Sequence, residues 1–167
     1  YRDRVFDIHA NPDDGTLPTV QMSGLTIRNG WVEYNTGGFA GPGSGIRGQA
    51  NLVLSNTAIV SNAGGTIWIS GTLDIRHSRV AENNMPPTVD GVAAIYVEDG
   101  ALSISQSQIE DNQPGGIYVN KGAVAISQSL IAHNEGSIYL SPGLATSDLV
   151  PLVTIVDSTF LANAGVA

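Results

Sequence analysis

The chain has 167 residues, of which 42% are hydrophobic and 13% charged, with a formal net charge of −8 and no cysteine. The hydrophobic fraction is too high for a disordered chain, and the lack of cysteine excludes disulfides and thiolate metal sites. The acidic balance argues against nucleic acid and anionic membranes as partners, and no run of about 18 apolar residues predicts a bilayer span.

In chain order, the first predicted element is a short strand at residues 5–8, which is followed by a turn at residues 11–15. An eleven-residue template begins at residue 20 and is repeated through the rest of the chain. It has apolar residues at positions one, three and eight, a hydroxyl residue at position six and Asn at position eleven. Its copies are residues 20–30, 52–62, 73–83, 102–112, 124–134 and 153–163. In the first copy, Leu25 and Gly30 replace the hydroxyl residue and the Asn.

The spacing of the copies indicates the kind of repeat. Successive copies start 32, 21, 29, 22 and 29 residues apart, which indicates a coil of constant size that carries insertions of variable length. The apolar positions alternate as in strands, and a further short strand of the type I-x-V lies between copies. The pattern predicts a single all-β domain over residues 1–167, a right-handed parallel β-helix of about seven coils with three short strands each.

Three insertions interrupt the repeat, at residues 31–45, 84–91 and 141–151. They are rich in Gly and Pro, which indicates loops at the corners of the coils. Loops of this kind often form a binding rim in repeat folds.

Stacked coils place equal template positions above one another, so each position becomes a column. Position eleven predicts a ladder of amides that bond along the axis, and Asn also tolerates the left-handed backbone of a tight corner. The predicted ladder consists of Asn62, Asn83, Asn112, Asn134 and Asn163. The hydroxyls of position six are expected to point inward and to bond the backbone or each other. Five equivalent hydroxyl residues do not indicate a catalytic nucleophile, which would require an oriented His base.

The central residues of the I-x-V strands are expected to face outward, since their neighbours face the core. We call this column the stripe; it consists of Arg47, Trp68, Tyr96, Tyr118 and Tyr139. Flat aromatic rings suit carbohydrate, which makes the stripe the candidate surface for binding a glycan or a surface protein. The alternative is that the rings stack on each other and stiffen the sheet.

Two further groups of residues could carry chemistry. Glu82, Asp111 and His133 share position ten and could act as acid and base on neighbouring coils. A solvated polar edge is the favoured interpretation, because most columns of charged residues are of that kind. Acidic residues at turns could bind Ca²⁺ through oxygen ligands. These weak calcium candidates are Asp13, Asp14, Asp90 and Asp99. Because they match no known calcium loop, no cofactor is assigned.

Residues 19–30 (TVQMSGLTIRNG), 71–83 (GTLDIRHSRVAEN) and 115–134 (GGIYVNKGAVAISQSLIAHN) resemble bacterial right-handed parallel β-helix proteins of the pectin-lyase-like superfamily. The resemblance is strongest to repeat regions of secreted adhesins and polymorphic outer-membrane-type proteins, which implies a secreted or cell-surface location. The superfamily also contains pectate lyases, polygalacturonases and tailspike glycosidases. Of the segments N-T-D, D-D, G-H-G and R-x-K that polygalacturonase-like members carry, this chain has only Asp13-Asp14, in a turn. Pectate-lyase-like members use clustered acidic calcium ligands with an Arg or Lys base, and the only lysine, Lys121, lies at a Lys-Gly corner, so no catalytic residue transfers.

The sequence therefore favours a non-enzymatic extracellular β-helix with a structural or adhesive role. One alternative is a fragment of a polysaccharide lyase or hydrolase; another is a fibre subunit that associates with itself end to end. Residues 164–167 supply no helix to cap the last coil. We therefore expect a segment of a longer chain or an end-stacking unit.

Overall fold

The computed structural model of the chain describes residues 3–32, 43–84, 93–113, 115–136, 138–141 and 152–164. Within these ranges the chain winds through six coils of three strands. The first three coils contain β1 (Phe6–Ile8), β2 (Thr19–Ser23), β3 (Thr26–Arg28), β4 (Ile46–Gln49), β5 (Asn51–Ser55), β6 (Ala58–Val60), β7 (Ile67–Ser70), β8 (Leu73–Arg76) and β9 (Arg79–Ala81). The last three contain β10 (Ile95–Glu98), β11 (Leu102–Ser105), β12 (Gln108–Glu110), β13 (Ile117–Asn120), β14 (Val124–Ser127), β15 (Leu130–Ala132), β16 (Ile138–Ser141), β17 (Val153–Val156) and β18 (Thr159–Leu161).

Equivalent strands of successive coils pair in parallel and form three sheets of six strands, which we call sheets A, B and C. Sheet A begins with β1, sheet B with β2 and sheet C with β3. The register follows the template: Ile104 is paired with Ile75 on one side and with Ile126 on the other. The predicted parallel β-helix is confirmed. The described residues give six coils where the length predicts about seven, because insertions take up the longer steps between copies.

The core is a column of aliphatic side chains enclosed by the three sheets. Template positions one, three and eight face inward; Leu102, Ile104 and Ile109 are at most 1% exposed. Burial of one such side chain contributes roughly 1.5–3 kcal/mol. Each coil contacts the coils on either side of it, so stability accumulates from coil-to-coil interfaces.

The corners depart from the expectation in one respect. Left-handed backbone was expected at position eleven, but it lies at position ten, where φ is between 49° and 62°. The residues concerned are Asn29, Ser61, Glu82, Asp111, His133 and Ala162. The chain turns at position ten, and the Asn at position eleven follows with its side chain buried. The Asn of the ladder therefore does not itself need a positive φ.

Most of the three insertions lies outside the described residues, as does the calcium candidate Asp90. The proposed binding rim therefore stays a prediction. In the part of the chain that the structure describes, no helix has the length and apolarity needed to cross a membrane.

Candidate functional site

A ladder of buried amides runs along the axis at position eleven. Asn62, Asn83, Asn112 and Asn134 are at most 2% exposed. Each Nδ2 donates a hydrogen bond to the Oδ1 of the Asn in the next coil, over 2.8 to 3.1 Å, as far as Asn163. The same Oδ1 atoms accept a bond from the backbone N–H of the preceding Asn, at 3.0 to 3.3 Å. The predicted ladder is confirmed, and its amides are fully engaged in holding the coils together.

The hydroxyls of position six form a second internal ladder. Ser78, Ser107 and Ser129 each donate from Oγ to the carbonyl oxygen two residues earlier, at 2.6 to 2.7 Å. Each Oγ also accepts a bond from the backbone N–H of the preceding coil, at 3.1 to 3.2 Å. The hydroxyls point inward as expected. They are buried, and their Oγ atoms are occupied by these bonds, whereas a nucleophile must be accessible and activated by a base.

Both ladders have the same polarity. The backbone N–H of one coil is satisfied by a side-chain oxygen of the next coil toward the C-terminus. In the first coil, the N–H of Gly30 donates to Asn62 Oδ1 at 2.9 Å, although Gly30 has no side chain to offer. This polarity explains why the first copy tolerates Leu25 and Gly30: only the side chains of the later coil are needed at each step.

The stripe occupies the outer face of sheet A. Its members lie in register from β4 to β16. The guanidinium carbon of Arg47 lies 5.6 Å from the centre of the Trp68 ring, within the range of a cation–π contact. The ring centres of Tyr96 and Tyr118 are 4.8 Å apart, and the ring planes differ by 3°. The corresponding values for Tyr118 and Tyr139 are 5.0 Å and 22°.

This stacking determines what the stripe can offer to a ligand. Both faces of the Tyr118 ring are covered by its neighbours, so a sugar ring cannot stack on them. Ring edges and phenol hydroxyls remain available, together with Tyr139, which is 62% exposed. The stripe therefore stiffens the sheet by cross-strand stacking and presents a row of phenol edges on its outer side.

The environment of Tyr96, in the middle of the stripe, shifts its pKa. Burial raises the pKa of Tyr96, and the charge of Glu98 raises it further, followed by Tyr118 and Asp99. The cause is that the phenolate is poorly solvated beneath its neighbours and lies close to carboxylates. The neutral phenol is therefore favoured in the folded protein.

We expect this shift to appear in an alkaline titration followed by tyrosinate absorbance. Tyr96 should ionise above the usual tyrosine pKa of about 10, and Tyr96→Phe should remove that step. Because the folded pKa is raised, Tyr96 contributes stability that is present below the unfolded pKa and is lost as the pH rises through the folded one. If Tyr96→Phe instead removed a tyrosine that ionises at the usual pKa and left the later step in place, the assignment would be contradicted.

The acid–base candidates of position ten lie on successive coils along an exposed edge. The Glu82 carboxylate accepts a hydrogen bond from Arg79 at 2.8 Å, and the same guanidinium donates to Glu110 at 2.8 Å. These two bonds raise the pKa of Arg79. Asp111 and His133 approach to 3.9 Å, and each side chain is 53% exposed. The structure thus brings Asp111 near His133 but couples Glu82 to a cation, which is the arrangement of a solvated polar edge.

The three calcium candidates that the structure describes, Asp13, Asp14 and Asp99, do not form a common site. Asp14 Oδ1 accepts the backbone N–H of Thr16 at 2.8 Å, and hydrogen bonds from Thr16 lower the pKa of Asp14. Asp99 forms an ion pair with Lys121 at 3.2 Å, and Asp13 lies in the same exposed turn as Asp14. Among the described residues, no three His, Asp or Glu side chains form a group that could hold a metal ion.

Two structural features were not predicted. Arg79 joins two coils through Glu82 and Glu110, and the only sequence signal for this is an Arg three residues before a Glu.

The second feature is a column of glycines at the corner between sheets A and B, where Gly71 and Gly100 are in close contact. Their recurrence after the I-x-V strand is visible in the sequence, but the closeness of the coils is not.

Comparison with known proteins agrees with this architecture. No curated protein and no solved structure was found to match the chain. The family model described as the right-handed beta helix region matches residues 7–167. With its three parallel sheets and its match over almost the whole sequence, the chain belongs to the right-handed β-helix family.

Proposed function

We propose that this chain is a non-enzymatic structural and adhesive β-helix of a secreted or cell-surface protein. The stripe would be its contact surface for a surface protein or a glycan, and no cofactor would take part. The observation that carries the proposal is the engagement of the repeated polar side chains in coil-to-coil bonds. The amides and hydroxyls that recur most regularly are buried and hydrogen-bonded, so they support a rigid rod.

The chemistry of the stripe limits how a partner would bind. The phenol hydroxyls can donate and accept hydrogen bonds, and the ring edges can be contacted from solvent. The stacked ring faces are covered by neighbouring rings and are not accessible to a ligand. A partner protein or a polysaccharide would therefore lie along the axis and contact the ring edges of several coils. Within the stripe, the ring of Tyr139 is the most exposed, at 62%, and it is where a sugar ring would gain face contact.

Binding to immobilised glycans and to surface proteins tests this proposal. We expect the double variant Trp68→Ala, Tyr139→Ala to bind at least roughly tenfold more weakly, since loss of about 1.4 kcal/mol produces that change. Ser103→Ala, which alters an outward-facing position of β11 in sheet B, is the control and should bind as the natural chain does. Equal binding by all three proteins would contradict a role for the stripe.

The same samples test the enzymatic alternative. Uronide polymers incubated with the protein should yield no unsaturated ends and no shortened chains. Product formation that disappears on substitution of Asp111 or His133 would replace the structural proposal with a lyase or hydrolase.

End-to-end association is the second candidate, and one feature of the coils favours it while another opposes it. The coil of β16, β17 and β18 exposes apolar side chains, among them Ile155 at 46% and Leu161 at 52%. The ladder polarity argues against stacking onto the first coil of another copy, because Leu25 and Gly30 offer no side-chain oxygen to the N–H groups of Ser158 and Asn163. Sedimentation should therefore show one concentration-independent species; filaments growing with concentration would contradict this.

A further inference from the structure

We infer that the stack of Tyr96, Tyr118 and Tyr139 is a site of oxidative tyrosine coupling, in which a peroxidase-type one-electron oxidant joins two adjacent rings through a carbon–carbon bond. This inference does not depend on the proposed adhesive role. It rests on the geometry of three phenols that the parallel sheet holds one above another.

The sheet supplies the proximity that coupling requires. Tyr96, Tyr118 and Tyr139 are direct register partners on β10, β13 and β16. Their ring centres are 4.8 and 5.0 Å apart, with ring planes 3° and 22° from parallel. Two phenols held in this way meet without the entropic cost of encounter, so coupling within the chain is favoured over coupling between chains.

The stacked orientation also suits the bond that forms. A tyrosyl radical carries unpaired spin on its oxygen and on its ring carbons ortho and para to that oxygen. The para carbon is occupied by the side chain, so an ortho carbon reacts. The orbital lobes stand perpendicular to the ring, and in this stack they point at the neighbouring ring.

The atoms and electrons balance with hydrogen peroxide as the terminal oxidant. Each tyrosine loses one electron to the oxidised peroxidase and one proton from its hydroxyl. The two radicals join at their ortho carbons, and the two ortho protons are lost while the phenol oxygens are reprotonated by solvent. Each pair therefore loses two hydrogen atoms in total, and one peroxide is reduced to two water molecules.

Exposure selects the pair that reacts first. Tyr139 is 62% exposed, whereas Tyr96 and Tyr118 are half-buried. An oxidant in solution reaches Tyr139 most readily, and the adjacent Tyr118 is its coupling partner. The product would be a covalent cross-link between β13 and β16 that closes a loop of the chain between them. Like a disulfide, this cross-link should raise the melting temperature.

The test is treatment of dilute protein with a haem peroxidase and hydrogen peroxide, followed by digestion and mass spectrometry. We expect monomeric protein lighter by two hydrogen atoms, with a cross-linked peptide pair containing Tyr118 and Tyr139. Tyr118→Phe keeps the stacked ring but removes the phenol common to both pairs, and it should abolish the cross-link.

A second variant distinguishes a specific loss of the cross-link from a loss of folding. Tyr96→Phe should retain the cross-link between Tyr118 and Tyr139, and circular dichroism should show the same β-structure for all variants. The inference is overturned if the natural chain forms no cross-link within the monomer. It is also overturned if Tyr118→Phe cross-links to the same yield, or if only covalent dimers appear.

Discussion

Replacement of Asn112 by Ala is expected to lower the free energy of unfolding by about 3–5 kcal/mol. The side chain is fully buried. Its Oδ1 accepts bonds from the N–H and the Nδ2 of Asn83, and its Nδ2 donates to Val80 O at 3.0 Å and to Asn134 Oδ1 at 2.8 Å. The variant would leave several of these polar groups in the interior without partners. Each such group costs about 1–3 kcal/mol.

Denaturant unfolding followed by circular dichroism measures this loss. Asn120→Ala is the matched control, since Asn120 is half-exposed at the end of β13, and it should cost less than about 0.5 kcal/mol. Equal destabilisation by the two substitutions would show that the ladder makes no special contribution.

Replacement of Gly100 by Ala is expected to lower the free energy of unfolding by about 3 kcal/mol. A Cβ at this position would overlap the carbonyl oxygen and the carbonyl carbon of Gly71 in the coil below. Backbone atoms cannot yield as a flexible side chain can, so the two coils would have to separate at this corner. That separation would weaken the adjoining pairs of β7 with β10 and of β8 with β11.

Gly24→Ala separates this steric effect from the general cost of losing a glycine. Gly24 has a positive φ of 68°, but nothing lies within 4 Å of the added Cβ. Gly24→Ala should lower the free energy of unfolding by only about 1 kcal/mol, because a residue with a Cβ is strained in the left-handed region. If Gly100→Ala lowered the free energy of unfolding no more than Gly24→Ala does, the close contact between Gly100 and Gly71 would be contradicted.

The repeat predicts most of the fold because one register relates every copy. Once positions one, three and eight are assigned to the core, the column of Asn83, Asn112 and Asn134 follows without further information. The outward direction of Tyr96 and Tyr118 follows from the alternation along a strand. These features depend on periodicity, which the sequence displays directly.

The remaining features depend on backbone dihedrals and side-chain rotamers, which the template does not specify. Position ten, and not position eleven, takes the left-handed backbone. Glu82 turns to Arg79, and Asp111 approaches His133 without a hydrogen bond. The column places these residues on neighbouring coils, but it cannot indicate which of them pair. The covered faces of Tyr118 likewise follow from ring orientation, which composition does not reveal.

The vertical register of the coils is the claim on which all of these conclusions depend, and nuclear Overhauser contacts between backbone protons test it most directly. We predict contacts of the parallel pattern from β11 to both β8 and β14, with Ile104 opposite Ile75 and Ile126. Close Hα–Hα contacts of the antiparallel type between β11 and β12, without contacts to β8 or β14, would contradict the β-helix.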